Sequence, residues 1–233
     1  MNIFQTLFYQ PLLNALVLLY QMVPGGNLGL AIILLTAAIK ILLYPLNQKT
    51  LKMQKALAEI EPRLKEVREK FKGDQEKIAK ETMALYSEAK VNPLLSFASL
   101  FIQIPILFAL YQVFSKFSVS QEMAFLYSFV HAPSQINSYF FTLNLALPNT
   151  ILAFLAGIFF FLQVKFSQPA PQTQKTSGST FMGTFQKQMN YFFPILSFII
   201  LLKVPAAIAL YLITNSILSI VEAKYVMRRI KAS

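Results

Sequence analysis

Leu28-Gly-Leu-Ala-Ile-Ile-Leu-Leu-Thr-Ala-Ala-Ile-Lys40-Ile-Leu-Leu-Tyr-Pro-Leu46 is an apolar run interrupted by one charge. As a helix it rises about 28 Å, close to the bilayer's hydrocarbon thickness of about 30 Å, so it reads as a membrane span. A cation at that depth costs about 2.5–3.5 kcal/mol on insertion scales, and a residue kept there against that cost is functional by default. No carboxylate in the apolar parts of the chain is evidently placed to neutralise Lys40. The sequence therefore predicts an ammonium whose partner comes from another molecule. A second reading stays open beside it: Lys40 lies only about 9 Å above Leu46, and its stem is long enough to snorkel to the interface.

The rest of the chain is built of similar material. Its 233 residues are 55% hydrophobic, and the mean hydropathy is +0.52. That places it outside the soluble range and predicts an all-α integral membrane protein without a separate water-soluble domain. The absence of cysteine excludes disulfides, thiolate metal sites and cysteine nucleophiles. A single histidine, His131, speaks against a zinc or iron centre, and no metal or other cofactor is expected. Residues 1–39 contain no Asp, Glu, Lys or Arg. Neither a basic n-region with a small-residue cleavage site nor an Arg-rich transit composition is evident, which favours a bacterial plasma membrane.

Five segments read as transmembrane helices: 28–46, 93–116, 148–166, 189–203 and 206–223. Charge orients them. The segment 47–92 carries eleven Lys/Arg, the tail 224–233 is basic, and 118–147 has neither Lys nor Arg. The positive-inside rule then puts the amino terminus outside and both basic regions, with the carboxyl terminus, in the cytoplasm. The 117–147 segment becomes an extracytoplasmic loop and 167–188 a flexible cytoplasmic one. The fourth run is short for a span. In residues 1–23 a polar stripe (Asn2, Thr6, Gln10, Asn14) recurs every four residues, which predicts an amphipathic helix lying on the outer face; a sixth span is the alternative.

Within 47–92, Leu57, Ile60, Leu64, Val67 and Phe71 make one apolar seam, and Gly73-Asp74 supplies a stop and a new cap. A cytoplasmic helical hairpin follows. Glu59–Arg63, Glu61–Lys65, Glu66–Lys70 and Glu76–Lys80 stand four apart in the favoured order, acid before base.

Polar residues inside the spans also keep helical spacing. Thr36, Lys40 and Tyr44 share a face of the first span, and Ser96, Ser99 and Gln103 share one of the second. Gln163 ends the third, while Tyr211, Asn215 and Ser219 lead down the fifth to Glu222. Such stripes face the bundle interior or a wet cavity. All are biased to the cytoplasmic half, which predicts a hydrophilic recess open to the inside; ordinary interhelical hydrogen bonding would also account for the serines. The outer halves are apolar and carry no ring of charge, so no through-path is evident. A small transporter or channel for an anionic solute, using Lys40 as its site, is the alternative reading.

Several of these residues resemble a known family, the YidC/Oxa membrane protein insertases. The resemblance rests on Gln103-Ile-Pro105-Ile-Leu-Phe-Ala-Leu-Tyr111 in the second span and Phe161-Leu-Gln163-Val-Lys165 ending the third. Pro205-Ala-Ala-Ile-Ala-Leu-Tyr211 is similar to the family's Pro-Ala-Gly-Leu-Ala-Leu-Tyr-Trp motif. The order of parts matches as well, over essentially the whole chain. Three departures stand out: Lys40 where the family most often has Arg, Leu212 in place of the Trp, and Ser96-Phe97-Ala98-Ser99 in place of a Gly-Cys-Pro-like run. The resemblance implies a non-enzymatic insertase and chaperone, active as a monomer. Its partners would be nascent membrane proteins and the phospholipid bilayer, with the ribosome and the Sec translocon as further ones it admits. The expected client-binding groove comprises Lys40, Thr36, Tyr44, Ser96, Ser99, Gln103, Gln163, Tyr211 and Asn215, with Lys40 attracting acidic client segments.

Overall fold

Pro11 decides how the chain begins. It has no N–H to close an ordinary helical turn. In the computed structural model, which describes residues 2–116, 125–133, 136–167 and 192–232, the chain winds Gln5–Tyr9 as a π turn instead. The Gln10 N–H closes that turn on the Gln5 carbonyl, and the chain continues as α1 (Gln10–Met22). Gly25 and Gly26 then take left-handed φ of 73° and 59°, which a side chain rarely adopts. Asn27 caps the next helix by accepting the Leu30 N–H at 3.0 Å.

That next helix, α2 (Leu28–Lys70), is unbroken over 43 residues, about 64 Å at the ordinary rise. The apolar run 28–46 and the first arm of the charged segment are thus one element. Pro45 and Pro62 sit inside it, each withdrawing an N–H from the ladder. Gly73 turns the chain at φ 98°, and α3 (Gln75–Glu88) starts at Asp74, whose side chain accepts the Lys77 N–H. The Lys77 backbone N–H, and then its ammonium, hold the Asp74 carboxyl below the usual carboxylate range. α3 returns along α2, with Leu85 and Val91 packing on Ile60 and Leu64. Here the local charge rule is corrected in part. Glu61–Lys65 closes at 3.3 Å, but Arg63 leaves Glu59 for Glu88, with its two amino groups 3.0 and 3.1 Å from the two carboxylate oxygens. Glu59 pairs with Lys55 instead. A two-pronged guanidinium contact across the turn outcompetes a single-pronged one along the helix.

A 3-10 turn (Pro93–Phe97) leads into α4 (Ala98–Lys116). α5 (Thr150–Ser167), α6 (Phe192–Leu201) and α7 (Ala206–Ala232) complete the helices among the described residues. One core joins Leu16 and Val17 of α1, Ile32 and Leu35 of α2, Leu110 and Val113 of α4, Ala153 and Ala156 of α5, and Ala206–Tyr211 of α7. Small residues line the α5–α7 contact, where they let helix backbones approach closely. α7 runs through the stretch expected as a separate basic tail, and its Ala223 and Val226 pack on Leu51 of α2. Residues 117–124 of the expected outer loop, and 168–191, covering most of the expected cytoplasmic loop and the start of the fourth run, lie outside the described residues.

The polar stripe of α1 meets protein, not only water. Asn14 is 1% exposed. Its amide donates to the Phe125 carbonyl and accepts the Tyr127 N–H, and Gln10 also donates to Phe125. A side-chain amide with two donors and an acceptor fits an irregular loop whose backbone lacks partners. Further along, β1 (Tyr139–Phe140) and β2 (Leu143–Asn144) pair antiparallel, and the carbonyls of Leu147 and Leu145 accept the Ala206 and Ala207 N–H groups that open α7. Phe140 lies over Gly29, where a Cβ would come within 2.2 Å of its ring. Gly29→Ala is accordingly expected to destabilise the fold by about 1–3 kcal/mol through overpacking. Adding Phe140→Ala should return part of that in a denaturation series; an unchanged midpoint for Gly29→Ala would show that the ring simply moves aside.

α2 and α7 are long and apolar enough to cross a membrane, and α4, α5 and α6 contribute shorter apolar helices. Leu34, Ile41 and Leu42 on α2, Phe101, Ile104 and Phe108 on α4, and Ile151 and Phe154 on α5 all point outward. A belt of that extent suits lipid, not water.

Candidate functional site

α2 and α7 both begin at the end of the bundle where the β1–β2 loop packs. Counting from those starts fixes which side chains meet. Lys40 lies about 18 Å along α2 and Ser219 about 20 Å along α7 at the ordinary rise. The Lys40 Nζ donates to Ser219 Oγ at 2.6 Å and stands 3.7 Å from Glu222 Oε2. Glu222 Oε2 also accepts from Asn47 Nδ2 at 3.1 Å. Asn47 Oδ1 in turn accepts from Ser99 Oγ of α4 at 3.0 Å, and Ser219 Oγ donates to the Asn215 carbonyl at 2.7 Å. One chain of polar contacts therefore joins α2, α4 and α7.

This corrects the expectation of an ammonium without a carboxylate in its own chain. Glu222 follows Ser219 by three residues, hence on the same face of α7, and the helix extends unbroken past the end of the apolar run. Its side chain is 10% exposed and that of Lys40 17%. At 3.7 Å the pair lies near the outer limit of an ion pair, and its attraction is offset in large part by desolvation of both charges. Glu222 Oε1 is buried without a hydrogen-bond partner among the described residues, as is Ser216 Oγ nearby on α7.

A second strut crosses between α4 and α7, where Gln103 Nε2 donates to the Tyr211 hydroxyl at 2.6 Å. Tyr211 is 1% exposed. Of the groove residues expected from sequence, Lys40 and Ser99 share one network, which Asn215 enters through its backbone carbonyl, while Gln103 and Tyr211 are bonded separately to each other. Thr36 is buried and donates to the Ile32 carbonyl of its own helix, outside the network. Tyr44 is half-buried one turn beyond Lys40. Gln163 Oε1 is buried without a partner among the described residues and is not tied to Lys40. Ser96 falls in the 3-10 turn, and its side chain lies outside what is described. Sequence reasoning missed Asn47 altogether and did not connect Ser219 and Glu222 with Lys40, although equal depth along two helices starting at one end was available as a signal.

No cluster of metal-ligating side chains occurs among the described residues. What the arrangement offers is a cation bonded to Ser219 and facing Glu222 of α7, within a polar network that also takes in Asn47 of α2 and Ser99 of α4.

The family model described as 60Kd inner membrane protein matches residues 18–233. A protein named membrane protein insertase YidC from Fusobacterium nucleatum is 30% identical over 204 residues, covering 88% of this chain and 88% of that protein. Proteins of the same name from an Anaeromyxobacter species and from Francisella philomiragia are 34% and 32% identical over 208 residues, 89% of this chain. The chain spans 34% of the length of each of these two.

Proposed function

Since this chain belongs to the 60Kd inner membrane protein family, we propose that it is a membrane protein insertase, which brings newly made membrane proteins into the bilayer. In this reading α2, α4, α5 and α7, and the 189–203 run that contains α6, each cross the membrane. The amino-terminal helix and the 125–147 loop lie outside, and the second half of α2, α3 and the end of α7 lie in the cytoplasm. The support is the charge distribution, with eleven Lys/Arg in 47–92 and none in 118–147.

The polar network around Lys40 carries the reading. Unpaired polar groups in hydrocarbon cost several kcal/mol each. A hydrated recess among α2, α4 and α7 lowers that cost for the polar tail of a client on its way across. The Lys40 ammonium attracts acidic residues in the tail, more strongly as the local dielectric falls. The client's apolar segment then moves sideways into lipid, driven by its own burial at roughly 25 cal/mol per Å². No bond is made or broken, in keeping with a family whose members are not enzymes.

The test is insertion by the purified chain alone in lipid vesicles, read by protease protection of a short-tailed client. Protection above that of empty vesicles is the expected result. Anion flux without protection would favour a transporter built around Lys40, and no protection unless other proteins are added would favour a scaffold.

A further inference from the structure

Among the described residues Glu222 is the carboxyl group that stands at the Lys40 site, and client attraction does not use it. One carboxylate oxygen faces the Lys40 ammonium at 3.7 Å and takes the Asn47 amide. The other is buried with no hydrogen-bond partner among the described residues. An acidic client side chain seeking the Lys40 ammonium would arrive where a carboxylate already stands. We propose that Glu222 is a resident counter-ion which a client's carboxylate must displace, so that it sets how strongly the site discriminates acidic from neutral clients. The inference rests on the insertase reading above.

The geometry suits exchange better than locking. The ammonium holds its short bond to the Ser219 hydroxyl, at 2.6 Å, and not to the carboxylate. Ser219 can therefore keep Lys40 in place while the second partner changes. Glu222 in turn has an alternative donor in Asn47, which stays bonded to Ser99. Both released groups thus keep a partner during the exchange, which limits the penalty of leaving a buried charge unpaired. The lone buried oxygen of Glu222 adds to the bias, since an unsatisfied acceptor favours any arrangement that lets water reach it.

Glu222→Gln tests this. The side chain keeps its shape and an oxygen for Asn47 but no longer competes for the ammonium. Purified variant and parent are compared in vesicles on clients that differ only in having two acidic or two neutral residues in the translocated tail. The expected result is an acidic-to-neutral insertion ratio raised by about tenfold, the scale of one close charge pair. Glu222→Asp, which draws the carboxylate back from Lys40, should raise it by less and serves if the Gln variant does not accumulate. An unchanged or lowered ratio, including an equal loss on both clients as from a structural defect, overturns the proposal. If the parent protein inserts neither client, the insertase reading itself has failed, and the two failures are thereby distinguished.

Discussion

Lys40→Glu is expected to lower insertion of acidic-tailed clients by about tenfold or more while changing neutral-tailed ones much less. The substitution replaces attraction by repulsion at a site where the side chain is 17% exposed, and like charges placed together in a partly desolvated site cost several kcal/mol. It also sets two carboxylates side by side, so part of any loss could come from the fold. The neutral-tailed client controls for that: a damaged bundle fails on both. Equal activity on acidic-tailed clients in reconstituted vesicles would remove the charge-attraction step from the mechanism.

The second large effect falls on stability. Lys40→Met removes the ammonium and leaves Glu222 with Asn47 alone, its other oxygen already unsatisfied among the described residues. Breaking one side of a buried pair costs about 3–5 kcal/mol in fully enclosed sites. A contact of 3.7 Å with residual exposure of both side chains places this one lower, at about 2 kcal/mol. Adding Glu222→Gln should recover more than half of it, because the uncompensated charge is then gone. Unfolding of the four proteins in detergent closes the double-mutant cycle. Additivity within about 0.5 kcal/mol would mean that the two groups do not interact.

Much of this arrangement was legible in the sequence because period-four spacing survives translation into structure. Thr36, Lys40 and Tyr44, and Tyr211, Asn215 and Ser219, were read as stripes, and two of those stripes meet. The partner of Lys40 was not read, for a definite reason. Glu222 ends the apolar run of α7, and a charge at that place looks like an interfacial residue. The equal start of α2 and α7, held by the 145–147 carbonyls and by Phe140 over Gly29, brings it beneath Lys40, and the two starts were not compared in reading the sequence. Asn47 was lost in the same way, being counted with the charged segment beyond Leu46. Arg63 shows the limit of local rules: spacing along α2 pointed to Glu59, and the return of α3 offered Glu88. The stripe of α1 shows another, since periodicity does not tell a face turned to water from one that binds a loop's backbone.

Whether a client reaches the Lys40 site is the question on which the account turns. A photo-crosslinking residue at position 44, one turn from Lys40 and outside its polar network, reports contact without removing the ammonium. Stalled acidic-tailed chains synthesised in the presence of vesicles holding the protein should crosslink from that position, and Lys40→Glu should abolish most of the product. Crosslinks of equal yield with Lys40→Glu, or none with the parent, would contradict the account.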